Sequence, residues 1–112
     1  MQLNHEKLDV YKASTKFLAI AFEIIKNMPP GYGFLKDQLK RASLSIPLNI
    51  AEGNGKFTHK DKAKYYLIAR GSATECGAIL DAAHIIKVIN IEQWQTGKLL
   101  IFRIVSMLCK ML

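Results

Sequence analysis

The sequence predicts an all-α protein: four helices forming one domain over residues 1–112. Three observations predict it. Apolar residues recur at helical spacing through every long segment. Strong breakers fall at Met28-Pro29-Pro30-Gly31-Tyr32-Gly33, at Gly53-Asn54-Gly55 and, more weakly, at Asn90, which cuts the chain into four. Half of the 112 residues are hydrophobic, which excludes disorder as the main state and hints at a second buried surface beyond the one core of a single domain of this length.

The first segment runs from about His5 to Asn27. Val10, Tyr11, Phe17, Leu18, Ala21, Phe22, Ile24 and Ile25 share one side of it, and Asp9, Lys12, Lys16, Glu23 and Lys26 the other. Pro29-Pro30 ends it, because proline pushes the preceding residue out of the helical region.

The second segment, about Phe34 to Glu52, carries one apolar stripe through Leu35, Leu39, Ala42, Ile46, Ile50 and Gly53, and a second through Leu44, Leu48 and Ala51. Pro47 lies inside it and removes the hydrogen bond to the Ser43 carbonyl. A kink is expected there, with the Ser43 and Ser45 hydroxyls available to the freed carbonyls; the alternative is a break at Pro47.

The third segment opens with Thr58-His59-Lys60-Asp61, which resembles a capping box, and reads as helix to about Ile89. It shows three stripes: Leu67, Gly71, Thr74, Ala78 and Ile85; Tyr66, Ala73, Gly77, Leu80 and His84; and Ile68, Ile79 and Ile86. Gly71 and Gly77 each cost about 1 kcal/mol against alanine, so another helix is expected close to them. The fourth segment is capped by Asn90 with Gln93 three residues on. From Trp94 to Leu112 its apolar arc covers well over half the helix.

A monomeric bundle needs little more than one apolar stripe of about 100° per helix. The surplus predicts a homo-oligomer, with Leu44, Leu48, Ile68, Ile79 and Ile86 or part of the fourth helix at the contact. Cys76 and Cys109 read as reduced core thiols of a cytoplasmic protein. The N-terminal stretch has no apolar signal-peptide region. Arg103 and Lys110 interrupt the longest apolar run, Leu99 to Leu112, so no membrane span is expected.

Two strings are distinctive. Gln38-Leu39-Lys40-Arg41-Ala42-Ser43-Leu44-Ser45-Ile46-Pro47-Leu48-Asn49-Ile50-Ala51-Glu52-Gly53 is the first, and Lys64-Tyr65-Tyr66-Leu67-Ile68-Ala69-Arg70-Gly71-Ser72-Ala73-Thr74-Glu75 the second. With Leu8-Asp9-Val10-Tyr11-Lys12-Ala13-Ser14 they closely resemble the four-helix bundle family of 23S rRNA intervening sequences. That family is related in fold to the accessory variability determinant of diversity-generating retroelements. Arg41, Ser43, Ser45, Pro47, Asn49, Glu52 and Gly53 form the motif specific to it. The resemblance implies an up-down-up-down antiparallel bundle assembled as a ring-like homopentamer, with no catalytic residues and no cofactor. By analogy with the retroelement protein it implies nucleic-acid binding. Ala73-Thr74 departs from the family pattern, where a bulkier apolar residue is expected before Glu75.

The formal net charge is +7, from 16 Lys+Arg and 9 Asp+Glu, and it is unevenly placed. Residues 1–55 contribute +2, residues 71–112 +1, and residues 56–70 +4 through Lys56, Lys60, Lys62, Lys64 and Arg70 against Asp61. Repeated around an oligomer, that patch could hold a polyanion, with Phe57, Tyr65 and Tyr66 available for stacking on bases. The competing reading is a solvated helix start. Arg41, Asn49, Glu52 and Arg70 read either as an anion pocket or as an inter-helix network in which Glu52 pairs Arg70 or Arg41 and Asn49 bonds backbone freed by Pro47.

Enzymatic chemistry finds no support. His5, His59 and His84 are scattered without metal-binding spacing. Glu75 and Asp81 lie roughly 120° apart around one helix. Gly53-Asn54-Gly55-Lys56 is too short for a phosphate loop. No metal or small-molecule substrate is indicated. The expected function is a non-enzymatic oligomeric bundle binding RNA or DNA through residues 56–70. The alternative is a scaffold or accessory subunit with a protein partner.

Overall fold

Helix ends sit where local chemistry puts them. In the computed structural model, which describes residues 1–112, a 3-10 turn at Asn4–Lys7 precedes α1 (Asp9–Asn27), α2 (Gly33–Asn54), α3 (His59–Ile85) and α4 (Ile91–Lys110). Met28, placed before Pro29, is extended at φ −71° and ψ 136° and closes α1. The Thr58 hydroxyl accepts the Asp61 N–H at 3.1 Å and starts α3. Asn90 and Gln93 form a reciprocal capping box at the start of α4, both bonds at 2.8 Å.

α2 continues as one helix through Pro47, so the alternative of a break there does not hold. Two other expectations about these elements are corrected. The serine hydroxyls do not serve the carbonyl that Pro47 frees: Ser43 donates to the Lys40 carbonyl at 3.2 Å, and Ser45 Oγ meets Ser72 Oγ at 2.8 Å. α3 stops at Ile85 rather than reaching Ile89, because Lys87 adopts φ +65°. The Val88 N–H returns to the Ala83 carbonyl and the Lys87 N–H to the His84 carbonyl, a Schellman closure built without glycine.

The four helices pack in ring order, each antiparallel to its neighbours. Arg41 pairs with Glu75 and Ser45 with Ser72 across α2 and α3. Asp81 meets Lys98 across α3 and α4, and Leu8 and Met111 line one groove where α4 closes against α1. A single core of 24 buried residues draws on all four helices and spans a molecule 44 by 28 by 22 Å. Phe17, Leu39, Ile46, Ile50, Leu80, Ile104 and Leu108 are fully buried, each contributing about 1.5–3 kcal/mol of transfer free energy.

Burial sorts the stripes that periodicity left equivalent. On α1, Val10, Ala13, Ser14, Phe17, Ala21, Ile24 and Ile25 face the core, while Phe22 is exposed. On α3 the stripe Leu67, Gly71, Thr74, Ala78 and Ile85 points entirely outward, and Tyr66, Ala73, Gly77 and Leu80 point in. The Gly71 expectation is therefore corrected. A Cβ there would meet nothing within 4 Å, and one on Gly77 only Ile101 at ordinary contact distance. The tight glycines are Gly53, under the Tyr66 ring, and Gly97, against Leu80. No helix is long and apolar enough to cross a membrane.

Candidate nucleic-acid interface

Antiparallel packing places the end of α2, the start of α3, the start of α1 and the end of α4 together. The α2–α3 turn is pinned from several sides. Lys62 Nζ donates to the Asn54 carbonyl at 2.8 Å, and Asn4 donates to Asn54 Oδ1 at 3.2 Å. The Gly55 and Lys56 N–H groups return to Ala51 and Gly53. Beneath the turn, Tyr66 is buried, so it cannot stack on a base as expected; desolvation raises its pKa, against a hydrogen bond from Asn54 that lowers it.

The other residues expected at the patch divide. Lys60 and Lys64 are exposed one turn apart on α3. Lys56 Nζ stands 3.7 Å from Glu52 and 5.1 Å from the Tyr65 ring centroid; Lys64 Nζ stands 5.7 Å from the same ring. Tyr65 thus already carries cation–π partners. Phe57, between Lys56 and Thr58, is 100% exposed. Lys62 is occupied as the clip of the turn. Arg70 lies about 15 Å further along α3 than Lys60, given 1.5 Å per residue, and its guanidinium donates to Cys109 Sγ at 3.7 Å. It belongs to the flank of the bundle rather than to the loop.

The fold adds cations that the local count missed. Dividing each helix at its midpoint, ten of the 16 Lys/Arg lie in this half of the bundle against four of the nine Asp/Glu, which is +6 of the total +7. Lys7, Lys12, Lys16, Arg103 and Lys110 are the additions. Lys12, Lys16 and Arg103 line one groove of about 320 Å³ between α1 and α4, with Asp9 at its rim. None of these three cations takes part in the ion pairs Arg41–Glu75, Lys56–Glu52 and Lys98–Asp81. The signal was present in the sequence. Given antiparallel order, charge must be summed over the first halves of odd helices and the second halves of even ones.

The Arg41, Asn49, Glu52 and Arg70 set does not converge. Arg41 pairs with Glu75 and Gln38, and Glu52 approaches Lys56; neither expected Glu52 pairing forms. Asn49 Nδ2 donates to the Ser45 carbonyl at 2.8 Å and its hydroxyl at 3.0 Å, not to the Ser43 carbonyl that Pro47 leaves free. Only the Arg41–Glu75 pair among these contacts ties α2 to α3; the others are local to α2 and its turn. At the opposite end, Asp81 accepts from Lys98 Nζ at 2.8 Å and from Trp94 Nε1 at 2.9 Å, and His84 stacks on Trp94. The Lys98 bond first, then the Trp94 bond, hold the Asp81 carboxyl below its usual range. Cys76 is buried as expected, with its thiol pushed up to about 12 chiefly by desolvation. Cys109 is exposed, which corrects its assignment to the core. No three His, Cys, Asp or Glu side chains group to hold a metal ion.

Of the residues expected at a subunit contact, Leu44, Leu48, Ile68 and Ile86 are exposed. Ile79 is corrected: at 9% exposure it belongs to the chain's own core. The Ser45–Ser72 register puts Leu48 level with Ile68 across α2 and α3. Ile86 lies roughly 27 Å further along α3.

Residues 6–110 match the family described as 23S rRNA-intervening sequence protein. The fold is similar to a crystal structure from Bacteroides thetaiotaomicron, described as a protein of unknown function from the S23 ribosomal protein family. The TM-score is 0.84 at 21% identity, covering 90% of this chain and 95% of that one. No curated protein matches.

Proposed function

The chain belongs to the 23S rRNA-intervening sequence protein family, and on that premise we propose that it is a non-enzymatic homo-oligomer that holds nucleic-acid phosphates on its basic end. The observation behind this reading is the polarised charge: +6 of the +7 sits in one half of the bundle. Pooled cations repel one another, and a phosphate backbone relieves that repulsion while releasing counterions.

Oligomerisation is proposed from the outer face of α3. Leu67, Ile68, Gly71, Ala78 and Ile85 are exposed there, and Leu44 and Leu48 are exposed on α2 beside it. Large exposed apolar side chains grouped on one side of a bundle ordinarily mark an interface. The family resemblance favours a ring-like pentamer, which would repeat the basic end once per subunit.

Fluorescence anisotropy with RNA and DNA across a salt series tests the binding. Each phosphate neutralised should contribute about −0.7 to −0.9 to the slope of log affinity against log salt. Reversing Lys60 and Lys64 to Glu should weaken binding and flatten that slope. Reversing Lys26 and Lys87, in the other half of the bundle, should not. Equal effects from both pairs would reduce the reading to bulk charge.

A further inference from the structure

We infer that the basic end takes single-stranded nucleic acid, with Phe57 stacking on an unpaired base; this rests on the nucleic-acid reading above and names its substrate class. Phe57 presents its whole ring to water at 100% exposure, more than the other exposed phenylalanines Phe22, Phe34 and Phe102. The turn's own bonds build that exposure. Lys62 clips α3 to the Asn54 carbonyl, Thr58 caps α3 immediately after Phe57, and the Lys56 N–H returns to Gly53. The ring therefore stands on a pinned tip with no intrachain apolar partner.

The surroundings of the ring are cationic. Lys56 precedes it, Lys60 follows one helical turn later, and Lys56 and Lys64 both approach Tyr65. An apolar partner surface would meet these ammonium groups at a desolvation cost, whereas a phosphate chain gains from them. Of the three aromatic residues expected to stack, Tyr66 is buried and Tyr65 is already faced by lysines, so Phe57 is the free platform. A duplex hides the faces of its bases in the stack. An unpaired strand offers them next to its phosphates, which matches one aromatic ring set among cations.

The test compares a labelled single-stranded oligonucleotide with a duplex of equal length by anisotropy. The single strand should bind at least about tenfold tighter, and Phe57→Ala should lower its affinity about 5- to 150-fold. The same variant should leave duplex affinity and the salt slope unchanged, which separates stacking from lost charge. Phe57→Trp should retain affinity, and its added fluorescence should be quenched on the single strand. Equal affinity for both forms, untouched by Phe57→Ala, would overturn the inference while leaving the nucleic-acid reading standing. A fall in oligomer mass for Phe57→Ala would assign the ring to a subunit contact and also overturn it. Failure of the unmodified protein to bind either form would overturn the underlying reading itself.

Discussion

The Tyr66 ring lies directly against Gly53: a Cβ at Gly53 would stand 2.8 Å from Tyr66 Cε1 and 3.0 Å from its Cδ1. This contact sets the spacing of α2 and α3 beneath the basic turn. Gly53→Ala should therefore lower stability by about 1–3 kcal/mol, although alanine is the better helix former by about 1 kcal/mol. Thermal denaturation reads the difference, and an unchanged or raised Tm would show that the ring moves aside at little cost.

Gly71 is the opposite case, with nothing within 4 Å of where a Cβ would stand. Gly71→Leu should keep the fold and raise the intrinsic helix stability by roughly 0.5–1 kcal/mol. If α3 packs against a second copy, the same variant should drop the mass measured by light scattering toward the 12.6 kDa of one chain. An unchanged oligomer mass would remove this face from the interface.

Lys87 closes α3 at φ +65°, a conformation that glycine adopts without a Cβ penalty. Lys87→Gly should raise stability by about 0.5–1 kcal/mol, read as a higher denaturant midpoint. A lower midpoint would mean that the lysine stem contributes more than the backbone penalty costs.

Asp81 titrates below its ordinary value of 3.8 in the folded protein, mainly through the Lys98 bond and then the Trp94 bond. Its contribution is therefore complete above that ordinary value and is lost as pH falls through the lower folded value. The pair is partly exposed, so the contribution is less than about 1 kcal/mol. Asp81→Asn should lower stability at neutral pH, and its deficit against the wild type should shrink as pH falls below the ordinary carboxylate range. A deficit that stays constant as the pH is lowered would place the effect in packing rather than charge.

The two thiols should separate by accessibility. Cys109 is exposed, while Cys76 is buried with its pKa raised to about 12. Mass spectrometry after brief alkylation of native protein should find one modified cysteine per chain, at 109. Rapid modification of Cys76 would reveal opening of the α2–α3 seam.

The helices were legible because their signals are local. Pro29-Pro30, Thr58 with Asp61, and Asn90 with Gln93 each act within a few residues of the end they define. The end of α3 was not legible, since Lys87 supplies a left-handed residue with no glycine to announce it. Of the candidate site, Lys56, Lys60, Lys64 and the place of Phe57 among them follow from the 56–70 charge cluster and its turn, whereas the full exposure of the Phe57 ring does not. Lys62 as a clip, Tyr66 as core and Arg70 as a partner of Cys109 depend on what each side chain meets after packing.

By itself the sequence determined an all-α chain of four helices, their turns, and an apolar content larger than one narrow stripe per helix. Those properties follow from hydrogen bonds and periodicity within each segment. Only the tertiary structure decided which stripe of α3 faces water, that Gly53 and Gly97 rather than Gly71 and Gly77 carry the close approaches, and that Lys12, Lys16 and Arg103 share a half of the bundle with Lys60. Burial and pooled charge depend on residues far apart in the chain that antiparallel packing brings side by side.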